Sequence, residues 1–516
     1  MPFENENTFI KLRDAGKESE FDRLYEAALK EAELYLHKEY PDLANGEVKE
    51  GKKIRDISPI NEEEIATFQM SSPETIDKTL GVLQSSYRNW YDLGYVERSR
   101  ILLKAADIMS ERKFLIAAVL AYENGKNRYE AIGDVDEAID FMRYYSLNLL
   151  ENQGFTRFTG KGYRNEESVS IMKPYGVFTV IPPFNFYSIT IGMTSGPLVV
   201  GNAVVLKPSS DIPLASYLGI KILHEAGVPE NVLAFLAGSG SVVGKKLSES
   251  DQVSGFVFTG SRDVGMSLYR KATEKHPRVV VTEMGGKDAI IVSSKADLPR
   301  AVEGVARAAY GYSGQKCSAC SVAYVMDSVY DRFVPMLIDR VSKMKVGDPR
   351  KKDVFVNPVV NASAFEKYKE FIQRIEKEGK IAFGGKARNE KGYYVEPTIV
   401  TDLPEDSFAV KDELFLPILS IVKVGSLDGA IARINASDYG LTGGIFTEDE
   451  REIEHYFATA DVGVIYANRA SGGSTGAMVG SQPFVGWKMS GISGKGTGSF
   501  YYLQQFLREQ SQTIAH

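Results

Sequence analysis

The chain has 516 residues, of which 43% are hydrophobic and 25% charged, and it carries a net charge of −7. That length exceeds one core, so two or three domains are expected, and the acidic balance argues against nucleic acid as the main partner. No run of 18 apolar residues and no basic-then-apolar leader is present, so neither a membrane helix nor a secretory signal is expected, and no membrane partner. Two cysteines three positions apart make no disulfide framework and indicate a reducing, cytoplasmic setting, while five dispersed histidines give no metal spacing, so no metal is expected.

In chain order, "FDRLYEAALKEAELYLHKEY" places Phe21, Leu24, Tyr25, Ala28, Leu29 and Ala32 at helical spacing, with Pro41 beyond the last turn. Asn45-Gly46 marks a turn and a short hairpin. Ser72 to Ser146 reads as helical. "GFTRFTGKGYRNEESVSIMK" reads as a long hairpin outside either core. From Lys173 five apolar, β-rich runs follow: "YGVFTVIPPFN", "GNAVVLKPSS", "NVLAFLAGSG", "VSGFVFTGS" and "PRVVVTEMGG", with helical stretches between most of them. Buried strands alternating with helices predict an open parallel sheet. A second series, "AIIV", "VAYVM", "EPTIV" and "PILSIVKV", predicts a second α/β domain from about Asp288. The closing "LREQSQTIAH" is a candidate strand.

Several residues could carry chemistry, each with a plainer reading beside it. Cys317, between Lys316 and Ser318 in "YGYSGQKCSACS", should sit in a tight turn near a positive charge that lowers its pKa; the alternative is a buried small side chain. Cys320 completes a Cys-x-x-Cys pair, a redox motif elsewhere, but a packed side chain fits better so deep in the chain. Glu283 leaves a buried strand before Gly285 and Gly286, where a raised pKa suits a general base; a cap or surface glutamate is the alternative. Asn185 follows Pro182 and Pro183, placed to donate to an oxyanion or simply to form a turn. Lys207 ends a strand and could reach a ribose or phosphate, or be merely solvated. Gly238, Gly240 and Gly244 narrowly miss the dinucleotide fingerprint. Gly260, Ser261 and Gly265 open a helix whose N-terminus suits a pyrophosphate, or they form a cap with close packing.

The order of "IPPFNF", "VVLKPSS", "FTGSRDVG", "TEMGGKDAIIV", "GQKCSA", "DELFLPIL" and "QPFVGWKMSG" resembles the aldehyde dehydrogenase superfamily over nearly the whole chain. The resemblance implies Cys317 as nucleophile, Glu283 as general base, and Asn185 with the Cys317 backbone N–H as oxyanion site. It implies NAD or NADP held by Ile181, Pro182, Pro183, Phe184, Ser209, Ser210, Gly240, Gly244, Phe258, Thr259, Gly260, Ser261, Gly265, Met284 and Gly285, with Lys207 and Glu413 on the two riboses and Phe415 beside the nicotinamide. The arm "FENENTF…ANGE", "ENGKNRYEAIGDVDEAIDFMRYYS" and "STGAMVGSQPFVGWKMSG" look like those of the 1-pyrroline-5-carboxylate dehydrogenases, which oxidise L-glutamate γ-semialdehyde in proline breakdown. That branch implies Lys316, Ser318, Gly476 and Ala477 around the substrate carboxylate, with Phe484 as an aromatic wall.

The chain departs from the family at Phe184 (usually Trp), Tyr187 (usually Pro), Val485 (usually Gly) and Ser210, where NAD-preferring members often carry a glutamate. Small and neutral, Ser210 would not repel a 2′-phosphate, so NADP acceptance is expected. The expected class is α/β: residues 1–152 as N-terminal arm and helical part, 153–172 as oligomerisation hairpin, 173–287 as Rossmann-like cofactor domain, 288–480 as catalytic domain, and 481–516 as return segment and C-terminal oligomerisation strand. The arm and tail suggest a homo-oligomer built from dimers. Competing expectations are another semialdehyde or small aldehyde, such as succinate semialdehyde or glyceraldehyde, a CoA-acylating member, and a non-enzymatic crystallin-like protein.

Overall fold

Short runs rich in valine, isoleucine and phenylalanine, buried on both faces, make the first sheet in this computed structural model, which describes residues 3–44, 47–48, 51–388, 391–470 and 478–516. Its parallel strands are β1 (Val177–Ile181), β2 (Ala203–Leu206), β3 (Leu233–Phe235), β4 (Gly255–Thr259) and β5 (Val279–Glu283). They lie in the order β5-β4-β1-β2-β3. The chain steps outward from β1 to β3 and then returns to the other side of β1. The strand order therefore reverses between β1 and β4, which opens a crevice at their carboxyl ends, where such sheets take ligands. Asp42–Leu43 and Glu47–Val48 extend the far edge as an antiparallel pair. Asn45 and Gly46, expected to turn this hairpin, lie outside the described residues.

The second sheet holds β6 (Asp288–Val292), β7 (Cys320–Met326), β8 (Lys380–Phe383), β9 (Thr398–Thr401), β10 (Ile418–Val424), β11 (Thr442–Phe446) and β12 (Val464–Ala467), in the order β8-β9-β10-β7-β6-β11-β12. Only β8 runs antiparallel to its neighbour. The sequence pattern points to β6, β7, β9 and β10 but passes over β8, β11 and β12. In β11 the pair Gly443-Gly444 looks like a turn; it is a strand because the Tyr456 hydroxyl and the Tyr466 ring fill the places of the missing Cβ atoms, at 2.4 Å each.

Four helices, Pro73–Asp92, Tyr95–Glu111, Lys113–Glu123 and Arg128–Glu151, share one core with the first sheet. Ser72 and Asn127 cap the first and last of these, their side-chain oxygens accepting from backbone N–H groups of the opening turn. Val479 and Tyr502 to Leu507 join the same core from the far end of the chain. The tail strand Leu507–Ala515 pairs antiparallel with Glu166–Pro174 of its own chain, and Thr156–Gly160 completes a three-stranded arm. Residues 508–515 are exposed, so one edge of this arm stays open. No helix among the described residues is long and apolar enough to cross a membrane.

Phe506 ties the chain end to the first sheet. It is fully buried, edge-on to Phe178 at 5.4 Å and to Tyr502 at 5.0 Å. Phe506→Ala should cost about 3–5 kcal/mol, read as a lower urea midpoint. The half-exposed Phe500, truncated in the same way, should cost under about 0.5 kcal/mol.

Candidate active site

The helix Leu298–Tyr310 runs into a left-handed turn in which Tyr312, Ser313 and Gly314 have φ of 47°, 54° and 67°. Such angles are costly for tyrosine and serine and persist only where the surroundings enforce them. Here the Tyr312 hydroxyl donates to the Asn124 carbonyl at 2.8 Å, and the Ser313 hydroxyl to that of Asn357 at 2.5 Å. The Val360 N–H donates to Gln315 Oε1 at 2.8 Å. A Cβ on Gly314 would stand 2.4 Å from the Leu416 carbonyl oxygen, so only glycine fits. The turn delivers Cys317, half-buried, just before β7.

Cys317 lines a cavity of about 210 Å³ together with Asn185, Glu283, Pro183 and Thr259. Asn185 sits two residues before the helix Tyr187–Val199, whose first N–H groups, from Tyr187 and Ser188, donate to the Asp134 carboxylate at 3.0 and 2.8 Å. Its own amide donates to the Gln315 carbonyl at 2.9 Å, which fixes it against the thiol loop and leaves a second N–H for the cavity. Glu283 ends β5. Its Oε2 has no hydrogen-bond partner among the described residues, and burial pushes its carboxyl well above the usual range, as a general base requires.

The thiol departs from expectation. Its pKa is raised well above the ordinary value, first by burial and then by the carboxylates of Glu413, Asp288 and Glu283. Lys316, expected to lower it, turns its ammonium to Glu130 at 2.6 Å. Cys320 is a core residue whose thiol donates to the Val322 carbonyl, and burial raises its pKa too.

Around the crevice, Ile181, Pro182, Pro183 and Phe184 leave β1, while Phe258, Thr259, Gly260 and Ser261 leave β4. Lys207 follows β2, buried, with its pKa lowered to about 8. It donates to the Pro208 and Gly238 carbonyls at 2.6 and 3.2 Å, which leaves one ammonium proton without a partner among the described residues. Ser209 is partly buried and Ser210 exposed. Gly240–Gly244 forms a π-helical turn, where the sequence suggested only a weak glycine pattern. Ser261 precedes the helix Arg262–Thr273 without a side-chain cap, so N–H groups of its first turn stay open to a ligand. Gly265 instead answers to packing, since a Cβ there would meet Met284 Sδ at 2.6 Å. Glu413, pushed up to about 7 by burial, accepts the Gly286 N–H at 3.0 Å, and beyond it Phe415 stands edge-on to Phe184 at 5.8 Å. A buried lysine with a spare donor, a buried carboxyl with one partner and an uncapped helix are the chemistry a dinucleotide needs, so these residues fit the expected cofactor.

Of the substrate residues, Lys316, Ser318 and Phe484 line the cavity, whereas Gly476 and Ala477 lie outside the described residues. Sequence reasoning missed Glu137 and Phe141, one helical turn apart on the same wall. Glu137 accepts the Ser188 hydroxyl at 3.1 Å, and burial pushes its pKa up to about 8. The available signal was the carboxylate-rich run "DVDEAID" on an otherwise buried helix.

A thiol, a carboxyl held toward its neutral form and a fixed amide at the mouth of a parallel-sheet crevice are the constellation of an α/β enzyme working by covalent catalysis. The chain belongs to the aldehyde dehydrogenase family, whose sequence model matches residues 47–511. It is 36% identical over 501 residues to a 1-pyrroline-5-carboxylate dehydrogenase of Geobacillus sp. (strain WCH70), covering 96% of each chain. It is 38% identical over 485 residues to the Bacillus cytotoxicus protein of the same name, covering 92% of this chain and 93% of that one. Its fold matches the Thermus 1-pyrroline-5-carboxylate dehydrogenase solved with bound NAD at a TM-score of 0.94 and 34% identity, over 100% of this chain and 99% of that one.

Iodoacetamide labelling of Cys317 in the free protein should therefore speed up with rising pH, with a midpoint above the roughly 8.5 of an ordinary thiol. A rate already at its plateau by about pH 7 would show the thiol pKa to be lowered instead.

Proposed function

We propose that this chain oxidises L-glutamate γ-semialdehyde, the open form of 1-pyrroline-5-carboxylate, to L-glutamate with NAD or NADP, a step of proline degradation. The observation that carries the reading is the shared cavity of Cys317, Glu283 and Asn185, in a chain similar from end to end to proteins of that name. The Cys317 sulfur adds to the aldehyde carbon as its proton passes to the ionised form of Glu283, which releases it to solvent before the next step. The oxyanion so formed takes hydrogen bonds from the free Asn185 N–H and the Cys317 backbone N–H. Bound NAD or NADP supplies the acceptor for the hydride that leaves this carbon. Glu283 then takes a proton from water as its oxygen adds to the thioester, and Cys317 departs as thiolate while the acid forms.

Lys207 and Glu413 are assigned to the ribose hydroxyls, the helix after Ser261 to the pyrophosphate, and Phe415 to the nicotinamide face. Ser210, exposed and neutral, leaves room for a 2′-phosphate, and the fold is also similar to an Escherichia coli NADP-dependent enzyme, at a TM-score of 0.86 and 27% identity over 93% of this chain and 98% of that one. Glu137 favours an amino-acid aldehyde over succinate semialdehyde, because a buried carboxyl at the wall would ionise against a substrate ammonium. Residues 1–152 and 173–287 are assigned to the cofactor domain, 288–480 to the catalytic domain, and 153–172 with the tail to a dimerisation arm whose open edge is Leu507–Ala515. Two free thiols fit a reducing compartment such as the cytoplasm.

Absorbance of reduced cofactor, followed with a panel of aldehydes, should be strongest with L-glutamate γ-semialdehyde and should appear with both NAD and NADP. Turnover with succinate semialdehyde alone would overturn the substrate, and NADP turnover below detection would remove the role given to Ser210. Because burial holds Glu283 protonated above the usual range, its base form grows as pH rises, so kcat should climb from neutral into alkaline pH. Glu283→Gln should flatten that climb and lower kcat by about 10²–10⁴-fold.

A further inference from the structure

The helix Arg128–Glu151 turns two faces to two different structures. Glu137 and Phe141, four residues apart, line the thiol cavity. Asp136, Asp140 and Tyr144, also four apart, point about 100° around the helix and hold the start of the chain. The Thr8 N–H and hydroxyl donate to Asp136 at 2.6 and 2.7 Å. The Glu6 N–H donates to Asp140 at 2.8 Å, and the Glu6 carboxylate accepts from Lys113 at 2.8 Å, from Ser110 at 2.7 Å and from Arg143. Phe3 stands edge-on to Tyr144 at 5.2 Å.

Asn5 does more than hold the arm down. One amide hydrogen goes to Asp140 at 2.9 Å, and the same nitrogen donates to the Val479 carbonyl at 3.2 Å, a residue 474 positions away in sequence. Val479 belongs to the turn Met478–Gln482, which lines the cavity and directly follows Gly476 and Ala477, the positions assigned to the substrate carboxylate. Within that turn Met478 and Gln482 exchange backbone hydrogen bonds at 3.1 and 2.9 Å, and the Gly480 N–H donates to the Gly498 carbonyl at 3.0 Å. The Phe3 ring packs on Gly480, 3.2 Å from where a Cβ would stand. Two residues near the start of the chain therefore contact a cavity wall 474 positions away in sequence.

We propose that the N-terminal arm, through the Asn5 bridge between Asp140 and Val479 and the contact of Phe3 with Gly480, is a positioning element for the wall that receives the carboxylate-bearing end of the aldehyde. Among the described residues no hydrogen bond or ring contact joins Asn5 or Phe3 to the thiol loop or the cofactor crevice, so their influence falls on tail recognition and spares the bond-making step. Naming that tail as a carboxylate rests on the function proposed above; the mechanical link between arm and wall does not.

Two single variants, Asn5→Ala and Phe3→Ala, test it by steady-state kinetics and by amide hydrogen exchange of the full-length protein. Each should raise KM for L-glutamate γ-semialdehyde about five-fold while kcat, and KM for butanal, stay within about two-fold. Each should also speed exchange at Gly480 to Gln482 and leave Ser313 to Cys317 unchanged. An equal rise in KM for both aldehydes, or an unchanged KM, would overturn the specificity role. Unchanged exchange at Gly480 to Gln482 would overturn the link itself, whichever aldehyde is used. If the parent protein does not oxidise L-glutamate γ-semialdehyde, the functional reading falls, and exchange still decides the role of the arm.

Discussion

Burial of a thiol and a carboxyl in one cavity, with no cation among the described residues committed to either, is the constraint on which the rest of this site depends. Burial drives both Cys317 and Glu283 toward their neutral forms because desolvation penalises charge, and at Cys317 the carboxylates of Glu413, Asp288 and Glu283 add to the effect. The two lysines close in sequence are spent elsewhere: Lys316 pairs with Glu130, and Lys287 donates to the Ala409 carbonyl. A resting site of this kind holds its nucleophile as a thiol. In the mechanism we propose, the thiolate forms against a carbonyl already in place, where the Asn185 N–H meets the charge as it develops on oxygen.

That arrangement asks for rigidity in segments that carry little secondary structure. The thiol loop is held from two separate parts of the chain: Tyr312 donates to Asn124, while Ser313 donates to Asn357 and Gln315 accepts from Val360 nearby. Asn185 is held by the hydrogen bond its side-chain amide donates to the Gln315 carbonyl and by Asp134, which caps the helix just after it. Asp134 in turn forms a fully buried pair with Lys126 at 2.6 Å, and that ammonium lies 4.1 Å from the centre of the Phe186 ring. One buried ion pair thus joins the helical N-terminal part to the crevice of the first sheet. Removing either partner would leave the other charge buried and uncompensated.

The same helix that supplies Asp134 also supplies Glu137 to the cavity and Asp136 and Asp140 to the N-terminal arm. Four carboxylates within seven residues would repel one another on an exposed helix. Here successive side chains diverge by about 100°, so each meets a different partner: a lysine and a helix start, a serine hydroxyl, and two stretches of the arm. The dense acidic run is the meeting point of the cofactor sheet, the substrate wall and the first residues of the chain.

Much of this protein was readable from its residues alone. Short apolar runs stopped by proline and glycine mark β1 to β5, because a strand buried on both faces must be apolar throughout and must end where the backbone turns. The order of seven short motifs identified the family, with Cys317, Glu283, Asn185 and Lys207 among their residues, since strand ends at a crevice are where polar groups meet a ligand. What the residues could not convey is set by distant neighbours. β11 is a strand because two tyrosines, from residues 456 and 466, occupy the space beside its glycines. The Cys317 pKa moves up because its nearest lysine turns away and three carboxylates from elsewhere in the chain surround it. Glu137 and Asn5 reach the cavity and its wall only through packing between segments far apart in sequence. Local pattern determines which elements form and which side chains end them; only tertiary structure decides what each side chain faces, because charge, burial and contact depend on the residues that folding brings alongside.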